Sequence, residues 1–200
     1  MMGMAGSGKT TLTATFGEWL EEKGEVVSRV NLDPGVIKLP YSPDFDVREI
    51  VNLQELMEKE GLGPNGGLLR ANEIILEKID TIVKKINDIS RRSSYVLIDT
   101  PGQLELFAFR ELGTLLVSKL SRADTVGLFI IDALNLQKPS DVVMAVLLAL
   151  AIRFHLDIEV VTLINKIDVS GEKILNPIKQ FFSETATFIK KLRNQNGGVM

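Results

Sequence analysis

The first residues with a chemical meaning lie at the start of the chain. GMAGSGKTT, Gly3 to Thr11, puts Gly3, Gly8, Lys9 and Thr10 at the fixed positions of a G-x-x-x-x-G-K-[ST] loop. Phosphate oxygens are held by backbone N–H groups that must come close, so bulky side chains are pared away. The expected phosphate-side residues are Gly3, Ala5, Gly6, Ser7, Gly8, Lys9, Thr10 and Thr11. A helix that starts here points its positive end at the same anion. Lys9 has the reach for the β- and γ-phosphates, and the Thr10 hydroxyl suits Mg²⁺. A glycine-rich turn with a surface lysine is the plain alternative, but the helical pattern that opens at Lys9 argues against it.

Three further runs carry chemistry. YVLIDTPGQ ends a hydrophobic stretch in Asp99 and places Gly102 at D-x-x-G spacing. Asp99 suits a Mg²⁺ ion reached through water, and the Gly102 N–H suits a γ-phosphate and a segment that moves when that phosphate leaves. NKID, Asn165 to Asp168, offers a carboxylate for the two donors of guanine, N1–H and the 2-amino group. Adenine lacks that pair. Asn165 addresses the other edge of the base, and the aliphatic stem of Lys166 covers the ring. NLDPG, Asn31 to Gly35, directs Asp33 to the same crevice, either to a metal-bound or attacking water or simply into an Asp-Pro-Gly turn. Gln103, next to D-x-x-G, matches the water-orienting position of Ras-like enzymes; a solvent-facing glutamine at a helix start is the other reading. Glu105 has the same ambiguity. Arg48, in the candidate switch segment PYSPDFDVRE, faces phosphate or forms a surface ion pair.

These residues need a scaffold that gathers strand ends. Four short, β-branched stretches read as strands covered on both faces: Glu25–Asp33, Tyr95–Thr100, Thr125–Asp132 and Ile158–Lys166. Helical patterns alternate with them, over Lys9–Lys23 and Gly67–Ser90, and from near Leu104, Ser140 and Lys173. The expected fold is α/β, a doubly wound and mostly parallel sheet with helices on both faces. One domain over 1–200 accommodates all of it. The expected strand before the phosphate loop is longer than Met1–Met2, and no Ser-Ala-Lys type guanine loop precedes Met200. The reading therefore expects part of the first strand and the C-terminal guanine-binding loop and helix to be missing. The tail RNQNGGVM reads as following a helix.

Composition narrows the chemistry. The 200 residues contain no cysteine and one histidine, and the net charge is −3. Disulfides, thiolate metal sites and cysteine nucleophiles are excluded. A mildly acidic chain argues against nucleic acid as the main partner. The run VVMAVLLALAI, Val142 to Ile152, covers roughly half a bilayer's hydrocarbon thickness as a helix. It is read as a buried helix with no membrane role, and with no signal peptide visible the expected location is the cytoplasm.

GLGPNGGLLRA, Gly61 to Ala71, is a second rigid Gly-rich stretch between helical patterns. With it the set resembles the GPN-loop GTPases: GMAGSGKTT, NLDPG, the PY-x-P…DVRE stretch, Gly63-Pro64-Asn65 inside a loop at 61–67, DTPGQLELF and NKID, in family order. The short length resembles an archaeal member. The resemblance implies a homodimer of the signal-recognition and MinD-like class that binds GTP or GDP with Mg²⁺. It implies that Asn65 reaches the partner's γ-phosphate, filling the place of a signature lysine where this chain has Met4 and Ala5. It also implies a protein client, such as RNA polymerase during assembly. The catalytic set is then Asn65, Gln103, Asp33 and Lys9; the metal set is Thr10, Asp33 and Asp99. Rival readings are a P-loop kinase with Arg91-Arg92 as lid, a metallochaperone GTPase, which would want Cys/His clusters, and a nucleotide-dependent scaffold without turnover.

Overall fold

Buried β-branched runs and glycine stops set the elements of the computed structural model, which describes residues 1–120, 124–170 and 172–195. β1 (Met2–Gly3) leads through the phosphate loop into α1 (Lys9–Glu22), and β2 (Val27–Asn31) follows. β3 (Phe45–Asp46) precedes a 3-10 turn, Val47–Glu49. Next come α2 (Leu53–Glu60), α3 (Pro64–Glu77), α4 (Ile79–Ser90) and β4 (Tyr95–Asp99). α5 (Leu104–Ala108) and α6 (Glu111–Lys119) lead to β5 (Val126–Asp132). α7 (Pro139–Leu156), β6 (Glu159–Asn165), α8 (Ile167–Ser170), α9 (Glu172–Ser183) and α10 (Thr185–Gln195) complete the described chain.

Every strand pair is parallel, in two three-stranded groups ordered β3-β2-β4 and β1-β5-β6. Met1 sits at the seam between them. Its N–H donates to the Ile98 carbonyl at 2.6 Å, and the Thr100 hydroxyl donates to the Met1 carbonyl at 2.8 Å. A groove of about 450 Å³ runs between the first halves of β4 and β5, lined by Val96, Leu97, Gly127 and Leu128.

Side chains alternate between two cores, as the period of two requires. Leu97 of β4 and Ile130 of β5 pack with Leu20, Leu12 and Phe16 of α1 on one face. Val96, Ile98 and Phe129 pack on the other face against α3, α4, α6 and α7. The α4 residues Ile79, Ile82, Val83, Ile86 and Ile89 are all buried, each worth about 2 kcal/mol of transfer free energy. Register brings the functional strand ends level: Asn31 lies beside Asp99, Gly3 beside Ile130, and Asp132 beside Asn165.

The expected fold class is what the chain adopts, with each strand a residue or more shorter than read. The expected helix over Gly67–Ser90 is two helices, broken at Lys78 (φ −104°, ψ 10°), and the first starts already at Pro64. A continuous pattern of isoleucines hides the break, because both helices turn the same kind of face to one core. The buried-helix reading of Val142–Ile152 needs correction. α7 has 18 residues and mean hydropathy 1.6, long and apolar enough by those measures to cross a membrane. Here it is the crossover between β5 and β6, and Val142, Ile152 and Leu156 are buried. Its other side is open: Met144, Leu147, Leu150 and Phe154 are exposed. Residues 196–200 of the tail lie outside the described residues.

Candidate functional site

The phosphate loop is bent by glycine. Gly8 caps α1 at φ 97°, a left-handed conformation that costs other residues, and a Cβ there would run into the Asn165 amide. Gly3 is equally constrained, since a Cβ would strike the Ile130 carbonyl of the neighbouring strand. The first N–H groups of α1, at Lys9, Thr10 and Thr11, have no intrahelical acceptor and point out of the helix end. Lys9 is buried and folds back over its own loop, donating to the carbonyls of Gly3 and Met4, each at 3.0 Å. Burial lowers its pKa, while the charges of Asp99 and Asp33 oppose that shift.

Asp99 is 1 % exposed at the end of β4. Its Oδ2 accepts the Tyr41 hydroxyl at 3.2 Å, and its Oδ1 is buried with no hydrogen-bond partner. Burial raises the Asp99 pKa, opposed by the nearby Thr10 hydroxyl, the N-terminal amine, the Tyr41 hydroxyl and Lys9. A buried, half-satisfied carboxylate beside a threonine hydroxyl fits a hard divalent cation that shares its ligands with phosphate and water. Ser7 Oγ is a second buried atom without a partner, inside the loop itself.

Asp33 reaches the same place from the end of β2. Its Oδ1 accepts the Gly35 N–H at 2.8 Å. Burial raises its pKa, against that bond and the charge of Lys9. Asn31, fully buried, shapes this turn. It accepts the Asp33 N–H at 3.0 Å and donates to Asp33 O at 3.1 Å and to Asp46 Oδ1 at 2.9 Å. Thus the Asp-Pro-Gly turn and the aim of Asp33 into the site are one arrangement. Gly102 lies against Ala5 of the phosphate loop, where a Cβ would be 3.7 Å from the Ala5 Cβ. Gln103 precedes α5 as its N-cap, partly buried, and makes no side-chain cap bond. Glu105 is exposed.

The guanine-motif residues grip the phosphate loop from the end of β6. Asn165 Nδ2 donates to Ser7 O at 2.9 Å. Lys166 donates to Gly6 O at 2.7 Å and to Asp132 Oδ2 at 2.7 Å. Lys166 has φ 60°, which a lysine adopts only when its surroundings hold it there. Its hydrogen bond keeps the Asp132 carboxyl below the ordinary carboxylate range. Asp168 is exposed on α8, two residues beyond.

Other expected residues lie apart. Asn65 is the second residue of α3 and exposed, and among the described residues no hydrogen bond joins it to the phosphate loop of its own chain. The stretch 61–67 is not all loop. Gly61 (φ 65°) ends α2, Gly63 caps α3, and Pro64 to Gly67 are already helical. Gly67 packs on Met57 and Leu53 of α2, so the corner is rigid. Arg48 resolves as an ion pair: it forks onto Asp46 at 2.6 Å and donates to the carbonyls of Val36 and Ile37. Arg91 and Arg92 pair with Asp88 and Asp44 just before β4 begins. That is the opposite end of the sheet from the phosphate loop, so they form no lid over it. Tyr41 and Asp132 escaped the sequence reading. The signal for Asp132 was a carboxylate ending the strand TVGLFIID; Tyr41 had only its place in the switch segment.

Comparison with known proteins agrees with this geometry. A family model described as "Conserved hypothetical ATP binding protein" matches residues 1–198. GPN-loop GTPase PAB0955 of Pyrococcus abyssi is 39% identical over 192 residues, covering 96% of this chain and 76% of that protein. GPN-loop GTPase 1 of Dictyostelium discoideum is 32% identical over 97% of this chain, which spans 48% of that protein. Such eukaryotic relatives are therefore about twice as long as the matched region. The crystal structure of PAB0955, described as a GTPase in apo form, superposes with a TM-score of 0.89 at 38% identity, over 96% of this chain and 76% of that one. The chain belongs to the GPN-loop GTPase family.

Proposed function

We propose that the chain is a homodimeric GTP-driven switch. GTP hydrolysis as the reaction class comes with the family. The phosphates lie on Gly3–Thr11, with Lys9 turning from its loop carbonyls to the β- and γ-phosphates. Guanine lies between Asn165 and Asp168, its face covered by the Lys166 stem. The observation that carries this reading is the grip of Asn165 and Lys166 on the Ser7 and Gly6 carbonyls. It joins the base motif and the phosphate loop into one body, which a chance N-K-x-D has no reason to do. GTP is chosen over the ATP of the family model's description because Asp168 offers an acceptor pair that only guanine matches.

When bound, Mg²⁺ supplies charge neutralisation across the phosphates, and Thr10, Asp99 and, through water, Asp33 are the residues to hold it. Asp33 and Gln103 orient the attacking water in this reading. A second copy delivers Asn65 to the γ-phosphate. An exposed Asn65 on a rigid corner, apart from its own phosphate loop, supports a contribution in trans. Release of phosphate frees Gly102, the segment Asp33–Glu49 relaxes, and the dimer opens. A protein client, of which RNA polymerase under assembly is the family's example, and a cytoplasmic setting complete the reading.

Asp168→Asn tests it. An asparagine offers one donor and one acceptor, which matches xanthine rather than guanine. The expected result is a shift of preference from GTP toward XTP, measured by competition against a fluorescent nucleotide. Wild-type binding of ATP as tight as GTP, or an Asp168→Asn protein with unchanged GTP preference, overturns the assignment.

A further inference from the structure

One contact ties the segment after β2 to the end of β4. The Tyr41 hydroxyl donates to Asp99 Oδ2 at 3.2 Å. Asp99 is a group that the metal needs in the nucleotide reading above, on which this inference rests. The contact presents the chemistry of the ligand it would meet. A phenol donating to a carboxylate offers the same O–H as a metal-bound water.

We propose that Tyr41 is an internal competitor of the metal's water shell at Asp99, so that its segment responds to the arrival of the metal with its nucleotide. Tyr41 acts through Asp99 and is a positioning residue. Its hydroxyl holds one carboxylate oxygen while the other, Oδ1, has no hydrogen-bond partner. Arg48 binds Asp46, Val36 O and Ile37 O, so the chain is anchored on both sides of Tyr41. Metal-bound nucleotide displaces the Tyr41 hydroxyl, and the chain between these anchors leaves its position.

Tyr41→Phe removes the hydroxyl and keeps the ring. The probe is Mn²⁺ in the presence of GDP, followed by electron paramagnetic resonance, with the rate of fluorescent GTP association as a second measurement. The expected result is about threefold to tenfold tighter Mn²⁺ binding in the variant, the range one hydrogen bond to a charged group supports. Faster association by a similar factor is expected, along with faster amide hydrogen exchange over residues 36–44 in protein without nucleotide. Unchanged Mn²⁺ affinity overturns the proposal. Weaker Mn²⁺ binding also overturns it, because Tyr41 would then be aiming Asp99 at the metal rather than competing with it. Failure of the wild-type protein to bind GTP with metal would instead overturn the nucleotide reading itself. A thermal melt of Tyr41→Phe within about 2 °C of wild type shows that folding is not the cause.

Discussion

Asp132→Asn removes one charge from the junction of the base motif and the phosphate loop while keeping the side chain's shape. Asparagine can still accept the Leu134 N–H that Asp132 Oδ1 takes at 2.9 Å, so the turn after β5 survives. What is lost is the charge of the 2.7 Å pair with Lys166. The aspartate side chain is 14 % exposed and the lysine 36 %, between a surface pair and a buried one. Exposed pairs are worth about 0–1 kcal/mol, and breaking buried ones costs about 3–5 kcal/mol. Solvent screening at the half-open lysine places this one near the lower range, about 1 kcal/mol, or roughly fivefold in a dissociation constant. The loss falls equally on GTP and GDP, because the pair stands on the base side of the loop. The assay is titration of a fluorescent guanine nucleotide against wild type, Asp132→Asn, Lys166→Ala and the double variant. If Asp132 acts by holding Lys166 on the Gly6 carbonyl, its substitution changes affinity by less than about twofold once Lys166 is gone. The same fivefold factor in both backgrounds, or no effect in the wild-type background, refutes this reasoning.

Two further predictions follow from the same geometry. Asn65→Ala is expected to slow single-turnover GTP hydrolysis at least about tenfold, with nucleotide affinity unchanged within about twofold, because Asn65 is exposed and, among the described residues, not bonded to its own phosphate loop; wild-type turnover in the variant would remove the trans role. Asp99→Asn is expected to raise the melting temperature, by about 2–4 °C for each ~1 kcal/mol relieved, while the Mg²⁺ dependence of nucleotide binding disappears. Burial raises the Asp99 pKa, so the folded protein holds that proton more tightly than the unfolded chain. The wild type therefore gains on the variant as pH falls through the raised pKa, and the gap in melting temperature narrows on acidification. A gap that widens on acidification contradicts the burial argument.

The candidate nucleotide residues were legible because each sits at the end of a strand and is spelled in consecutive letters. GMAGSGKTT, DTPG and NKID need only local chemistry to be read, and a parallel sheet then gathers their ends without further instruction. The second layer was not legible. Tyr41 meets Asp99 across 58 positions and Lys166 meets Asp132 across 34. Such pairs are made by register, which periodicity does not report. Helix limits failed for a related reason. Isoleucines every three or four residues run straight through Lys78, since two short helices packed on one core share the period of a single long one. α7 misled in the opposite sense: an apolar run states that burial is favourable but not how many faces find a partner. Pro64-Asn65 reads as loop from its glycines, yet proline is at home in the first helical turn, and the helix begins there.

The clasp of Asn165 and Lys166 on the phosphate loop spans 158 and 160 positions of the chain. During synthesis the loop leaves the ribosome long before its clasp. Until β6 has emerged and paired with β5, Gly6 and Ser7 lack the groups that hold their carbonyls. Closing so long a loop is slow and entropically costly. A nascent chain therefore displays its phosphate-binding signature long before it can grip a nucleotide. Acquisition of GTP waits for β6, and a nucleotide once bound reports that β6 has paired with β5.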